Sequence, residues 1–392
     1  MNMNEVQKKT AYEFGNRYLG PFLTAFACWL EDNVQADKIS RLFFLSRDGY
    51  MMKKAYEGIF PYCNVECRYV YFSRKSLIRA AMYGCKDYKD FVELFNGRSR
   101  MSAQELLSYM NLSDDAKEAI LRDHHLDLDK DINVAALSGN DEIRSIFEQY
   151  CDEIHQNAAI QFDLVEKYLL QEHMSGRVAV VDIGWHGSMQ LYLEKIVRMS
   201  DKISAEISGY YVGINTCEGV LGITRGLLFN DQDLRNRPNV TCALGMYERL
   251  FQKPEGSTEG YTEDPDGTIR VIKGGGEGRD PEITECVERI QKGAMDCINQ
   301  NMSHKPEEYL KLTKPLVDFG RNPGGKYFKL FDKFYIEDGE KNYYLPQKGL
   351  AKYSLSELKH DLHNSPWKTG FMKKAFGLPL PYIYVYSLIS KK

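Results

Sequence analysis

No stretch of this 392-residue chain approaches the ~20 consecutive apolar residues of a membrane-spanning helix. The opening MNMNEVQKKT has no apolar run after its charges, so a secretory leader of the usual build is not expected. Cysteine pairs at ligand spacing are also missing: the nine cysteines are scattered without a CxxC, and the close pair Cys63 and Cys67 has no His or Cys group beside it. Reduced thiols in a cytoplasmic protein are therefore expected, rather than a disulfide framework or a zinc site. An excess of one charge is lacking too. With 51 basic against 55 acidic residues the net charge is −4, which argues against nucleic acid as a bulk partner. There is no GxxxxGK[ST] phosphate loop, no GxGxxG and no GxSxG nucleophile elbow.

What is present is an ordinary globular composition, 43% apolar and 27% charged, in a chain long enough for roughly two to three domains. Tyr18 to Leu30 is apolar at helical spacing. Arg41-Leu-Phe-Phe-Leu45 is too brief for a helix and is followed by Ser46-Arg-Asp-Gly49 and a helix-like Tyr50 to Phe60. The pattern recurs in Arg68-Tyr-Val-Tyr-Phe72, Ser73-Arg-Lys-Ser76 and Leu77 to Met82. From 101 to 175 the chain turns helical and acidic, with 16 acidic against 5 basic residues. Arg177-Val-Ala-Val-Val-Asp-Ile183 then reads as a parallel strand buried on both faces, followed by Gly184-Trp-His-Gly-Ser188 and a helix from Met189 to Val197. Further strands are expected at Gly209 to Ile214 and Gly226 to Phe229.

The fold class is thus α/β, a mostly parallel Rossmann-like sheet with a helical insertion and a mixed C-terminal region. The boundaries are 1–100 for the first α/β part, 101–175 for the insertion, 176–260 for the second α/β part and 261–392 for the remainder. In that last part Asp264-Pro-Asp-Gly267 marks a hairpin tip and Gly274-Gly-Gly-Glu-Gly278 a flexible loop, with helical segments from Glu282 to Met302 and around Pro306 to Leu316. From Pro366 onward come Lys368, Lys373, Lys374, Lys391 and Lys392 with no acid, interleaved with aromatics. A docked element with solvated lysines and a peripheral contact with an anionic membrane both suit that stretch.

Three βα turns carry the chemistry. Ligands of open parallel sheets collect beyond the carboxyl ends of the strands, where helix N-termini offer unpaired N–H groups. Gly184, Gly187 and Ser188 would let the backbone wrap a phosphate, with Trp185 and His186 between them. Ser46, Arg47 and Gly49 form the first turn and Ser73, Arg74 and Lys75 the second, and between Arg41 and Arg79 there are 8 basic against 3 acidic residues. That local +5 predicts a polyanionic small ligand. Asp48 and Asp182 lie in the turns, where a carboxylate can bind ribose hydroxyls, hold Mg²⁺ through a ligand's phosphates, or take a proton. The plainer roles are N-caps for Ser46 and Ser73, a dipole partner for Asp48 and a loop hydrogen bond for Asp182. A separate Asp231-Gln-Asp233 resembles the metal-binding DxD of nucleotide-sugar glycosyltransferases, or is a solvated loop.

Taken in order, Phe44-Leu-Ser-Arg-Asp-Gly-Tyr50, Tyr71-Phe-Ser-Arg-Lys-Ser76, Val181-Asp-Ile-Gly-Trp-His-Gly-Ser188 and Tyr247-Glu-Arg-Leu-Phe-Gln-Lys-Pro-Glu-Gly-Ser257 resemble a module of bacterial polysaccharide biosynthesis proteins. It is the one that follows a haloacid-dehalogenase-type phosphatase domain and is similar to the glycan phosphoribosyltransferase half of ribofuranosyltransferases. The resemblance implies transfer of 5-phosphoribose from phosphoribosyl diphosphate (PRPP) to a glycan or lipid-linked glycan, with inversion. A phosphatase then removes the 5-phosphate. No strand followed by DxDx[TV] precedes the module, so the resemblance implies a separate phosphatase. On this expectation Gly184 to Ser188 hold one phosphate, and Arg47, Arg74 and Lys75 offset charge on the departing diphosphate. Asp48 or Glu248 serves as base and Asp182 binds the ribose. Mg²⁺ suits a diphosphate leaving group, although no carboxylate pair in the turns demands it. Two other classes stay open at this point, a DxD glycosyltransferase and a scaffold whose basic cleft takes a partner's acidic segment.

Overall fold

The computed structural model describes residues 3–124, 126–128, 130–275, 280–301, 308–338 and 340–389. Glu5–Phe14 (α1) continues through a π-helical turn into Gly20–Ala36 (α2), so the apolar stretch seen in the sequence is one part of a longer helical run. The apolar pentad Arg41–Leu45 (β1) leads into Gly49–Ile59 (α3), and Glu66–Val70 (β2) into Arg74–Ala81 (α4). The acidic stretch is mainly helical, ending in Cys151–Gln171 (α5), though a short antiparallel pair, Arg100–Ser102 with Asp131–Asn133, opens it. Gly176–Trp185 (β3), Ser188–Met199 (α6) and Ala205–Ile214 (β4) follow, then Thr224–Gly226 (β5), which lies a little before the position expected from the sequence.

These strands form one parallel sheet in the order β2-β1-β3-β4-β5. Strand alternation divides the core into two. Phe43, Leu45, Val178 and Val180 point to one face, where they cluster with Phe91 of the Tyr88–Glu93 helix and with Leu106, Ile146 and Val165 of the inserted helices. Leu42, Phe44, Ala179 and Val181 point to the other, against Phe22 and Phe26 of α2. That second face is also covered by Leu244–Phe251 (α7), Pro281–Asn301 (α8) and Lys314–Arg321 (α9), which contribute Met246, Ile290 and Leu316. A strand buried on both sides needs apolar residues at every position, which is why β1 and β3 read as unbroken runs.

The turn at Asp264–Gly267 joins Thr258–Glu263 (β6) to Ile269–Lys273 (β7), the hairpin expected there. Residues 276–278 of the glycine loop, Met302 and Pro306 of the helical segments, and Lys391 and Lys392 lie outside the described residues.

The basic aromatic stretch begins as a docked element. Trp367 is fully buried and its Nε1 donates to the Gly320 carbonyl at 2.8 Å, ahead of Lys368–Phe376 (α10), in which Phe371 and Met372 are buried. Lys374 pairs with Asp332 at 2.7 Å. No described helix is long and apolar enough to cross a membrane. Because deleting a buried indole leaves a cavity and removes one hydrogen bond from the Gly320 carbonyl, which keeps that from the Thr369 hydroxyl at 2.7 Å, Trp367→Ala should cost about 3–5 kcal/mol. Equilibrium urea unfolding would measure this, and a loss below about 1 kcal/mol would show that α10 is not part of the folded core.

Candidate active site

The sheet order reverses between β1 and β3. β2 lies to one side of β1, and the chain returns to place β3 on the other, with Phe44 paired to Val181. At such a reversal the two following turns diverge and leave a crevice beyond the carboxyl ends. The structure thereby brings together the first and third predicted turns, with Asp48 after β1 and Asp182 near the end of β3. The second turn stands one strand further out. Glu248, on α7, completes the group by accepting the Trp185 Nε1–H at 3.0 Å. Trp185 is held with φ of 83°, an uncommon conformation for a bulky residue, and its ring stacks on Phe229 at 6.3 Å.

The three carboxylates are electrically linked. Burial pushes Asp48 well above the usual carboxylate range, and the charges of Asp182 and Glu248 add to this against the opposing pull of Arg47 and Gln252. Burial likewise pushes Asp182 up to about 7, eased by the Ile183 N–H, raised further by Glu248 and eased again by Arg74. Asp48 and Asp182 repel one another and both face Glu248, so the two carboxyls titrate as a linked pair, each held up by burial. Asp48 keeps some exposed surface, yet its Oδ1 is enclosed and has no hydrogen-bond partner. It occupies the N-cap position of α3 without making a side-chain cap bond. That position at the start of the helix is also where the plainer role, a partner of the α3 dipole, would place it.

Both helices that start in the crevice have open N-termini. Gly187, at φ of 70°, occupies the N-cap of α6 with no side-chain cap, and the Ser188 hydroxyl makes no hydrogen bond among the described residues. First-turn N–H groups left without side-chain partners form an anion site together with the positive end of the dipole. Arg74 is exposed and makes no hydrogen bond or ion pair among the described residues, while its charge acts on Asp182 and His186. Arg47 lines a cavity of about 90 Å³ together with Glu248, Arg249, Gln252, Glu337 and Tyr344. That space is too small for a phosphorylated ribose. Such a donor would lie across the open strand ends and enter the cavity with one end only.

Several predicted residues have other duties. The strand runs on to Trp185, and a side chain at Gly184 would strike the Gly213 carbonyl at 2.3 Å, so this glycine permits close approach of β4 rather than wrapping a ligand. Gly49 is buried against Phe44 and lets α3 start close to β1. Ser46 donates to the Phe72 carbonyl at 3.2 Å. Ser73 is the N-cap of α4, in a capping box with Ser76, and donates to the Thr258 carbonyl at 2.5 Å. Lys75 is paired with Glu259 at 2.6 Å, which removes it from the cationic cluster. His186 faces the Asn215 carbonyl at 3.3 Å through Nδ1, and burial holds its imidazole below the usual range, so it brings no charge to an anion at neutral pH.

The DxD carboxylates are also committed. Asp231 accepts from the Thr216 N–H at 2.7 Å and its hydroxyl at 2.5 Å, and Asp233 is held down to about 2 by Arg235. Sequence reasoning missed Arg249 and Gln252. Arg249 donates to the Tyr335 carbonyl at 2.9 Å and has an enclosed Nε without a partner, and Gln252 reaches Asp48. Their signal was the Glu248, Arg249, Gln252 spacing, which puts the first and last on one helical face.

Among the described residues no three His, Cys, Asp or Glu side chains are grouped to hold a metal ion by themselves. Mg²⁺ arriving with a diphosphate takes most of its shell from phosphate oxygens and water and needs only one or two carboxylates. Asp48, with its orphaned oxygen, suits that part.

Compared with known proteins, the chain matches no family model and, at a significant level, no curated protein.

The raised Asp182 favours a protonated side chain in the fold. Its contribution to stability is full below about 4, the ordinary Asp range, and is lost as pH rises through about 7. In metal-free buffer, Asp182→Asn should therefore raise the melting temperature at pH 8 by several degrees and at pH 4 by much less. Equal shifts at both values would mean that Asp182 is not electrostatically strained.

Proposed function

We propose that the protein is a glycosyltransferase that moves 5-phosphoribose from PRPP to a hydroxyl of a glycan. The observation that carries this reading is the combination at one strand reversal of two open helix N-termini, the unpaired Arg74 and a carboxylate poised near neutral pH. A donor with a phosphate at one end, a diphosphate at the other and a hydroxylated ring between needs anion sites on either side of acidic groups. The ordered likeness of the four motifs to the phosphoribosyltransferase module points the same way.

In this mechanism the N-terminus of α6 and Ser188 bind one phosphate end, and Arg47 with Arg74 offsets the charge that grows on the departing diphosphate. Asp182, rather than Asp48, takes the acceptor's proton, because a base works best with a pKa near the working pH. Without a cation, Asp48, kept neutral by burial and by its neighbours, donates a hydrogen bond to a donor oxygen; with Mg²⁺ bound it would ionise and accept the ion instead. Glu248, fixed by Trp185, faces the ring hydroxyls. The C1–O bond to diphosphate breaks as the C1–O bond to the acceptor forms on the opposite face, giving inversion, with diphosphate as the leaving group. Mg²⁺, when bound, would neutralise part of the diphosphate charge. The product keeps its 5-phosphate, so a separate phosphatase would complete the ribofuranoside. With Asp231 held by Thr216 and Asp233 by Arg235, the acidic pair that a nucleotide-sugar mechanism would rest on is already engaged.

Titration calorimetry against PRPP, a UDP-sugar and ATP, each with and without Mg²⁺, tests the class. PRPP should bind alone among the three, and Arg74→Ala should weaken it at least tenfold. Asp182→Asn should keep most of the binding and lower transfer to a glycan acceptor by about 10²–10⁴-fold, the usual worth of a general base. Binding of the UDP-sugar instead, or full transfer by Asp182→Asn, would overturn the proposal.

A further inference from the structure

A second surface, away from the strand ends, carries features that the proposed reaction does not use. At the end of α10 and just beyond it, Phe376, Leu378 and Leu380 are 39%, 53% and 48% exposed. On the next helix, Tyr382–Ile389 (α11), Tyr384, Val385 and Leu388 are 69%, 41% and 72% exposed. The helix is not loose. Tyr382 and Ile383 are buried, and the Tyr386 hydroxyl donates to Thr241 Oγ1 at 3.0 Å. Tyr384 and Leu388, one turn apart, share its outward face. Single exposed apolar residues are ordinary, whereas a run of this density held on an anchored helix marks a contact surface.

Beside it opens a cavity of about 760 Å³ whose lining includes Arg17, Asp318, Arg321, Asn322, Pro381 and Tyr384. Its charge is mainly positive. Arg17 is exposed, makes no ion pair among the described residues, and lies over the Tyr18 ring at 5.6 Å. Arg321 has an enclosed Nε without a hydrogen-bond partner, and Lys373 reaches Asn322 at 3.0 Å. Asp318, the carboxylate in the lining, is already met by Lys314 and by Arg321. From Pro366 to the last residue the sequence has five lysines and no acid.

We propose that this face rests on an anionic bilayer, with the apolar side chains of 376–388 in the headgroup–acyl boundary and a lipid phosphate in the cavity against Arg17 and Arg321. An interfacial segment binds through buried apolar area together with attraction to anionic lipid, and both terms are present side by side. A second copy of the chain would set the same positive charge against itself. Free phosphate would leave the apolar run without a partner. The inference does not depend on the proposed reaction.

Co-sedimentation with phosphatidylcholine vesicles, with and without phosphatidylglycerol, tests it. The protein should pellet with the anionic vesicles only and be released by high salt. The triple variant Leu378→Ser/Leu380→Ser/Leu388→Ser should lose binding at least tenfold. Arg17→Gln and Lys373→Gln, both surface changes that spare the core, should each weaken it about fivefold, the worth of one basic residue at an anionic surface. Should the triple variant fail to fold, judged by circular dichroism, these charge variants decide. Equal binding to neutral vesicles, unchanged binding of the charge variants, or release by millimolar inorganic phosphate at constant ionic strength would overturn the proposal. So would a dimer in light scattering that the triple variant dissolves, since the face would then be an interface between copies.

Discussion

The pairing of β3 beside β1 is the constraint on which the rest of the molecule depends. β2 occupies one edge of β1, so the return of the chain after the long helical stretch has only the other edge to use. That single choice makes a reversal in strand order, opens a crevice, and sets the ends of two strands next to each other. It also explains the two-sided burial of β1 and β3, since both lie inside the sheet with helices on each face.

The crevice concentrates unlike charges at short range. Two carboxylates held up by burial and a third tied to an indole stand beside Arg47, with the exposed Arg74 acting on Asp182 from the next turn. Where the two aspartates are buried, charges interact more strongly than at the surface, so the protonation of Asp48 and Asp182 is set by burial and by their neighbours. Burying these two carboxyls beside Glu248 is costly to the folded protein when they ionise. The polyanionic donor proposed above would supply the hydrogen bonds that the open helix ends and the enclosed Asp48 oxygen lack.

Much of the sheet was legible in the chain. The unbroken apolar runs at 41–45 and 177–183, the polar turns after them and the hairpin at 264–267 each have a local physical cause, and each stands where that cause puts it. The site was legible in part. Asp48, Asp182 and Glu248 cluster, but Lys75, Ser73 and Gly184 are taken up by Glu259, Thr258 and Gly213, partners distant in the sequence. Nothing local to Ser73-Arg-Lys-Ser76 could show that Lys75 would find a carboxylate on β6 while Arg74 would find none among the described residues.

Local composition, then, settles which segments become strands, helices and turns, because period, turn chemistry and capping act over a few residues. Strand order is a different matter. It depends on which edge a returning strand meets, and it decides which of three similar turns face one another, which charges are spent on neighbours, and which stay available to a ligand. The near-neutral total of −4 conceals this, since charges cancel in the sum wherever they lie, whereas their fields add only where the fold brings them close.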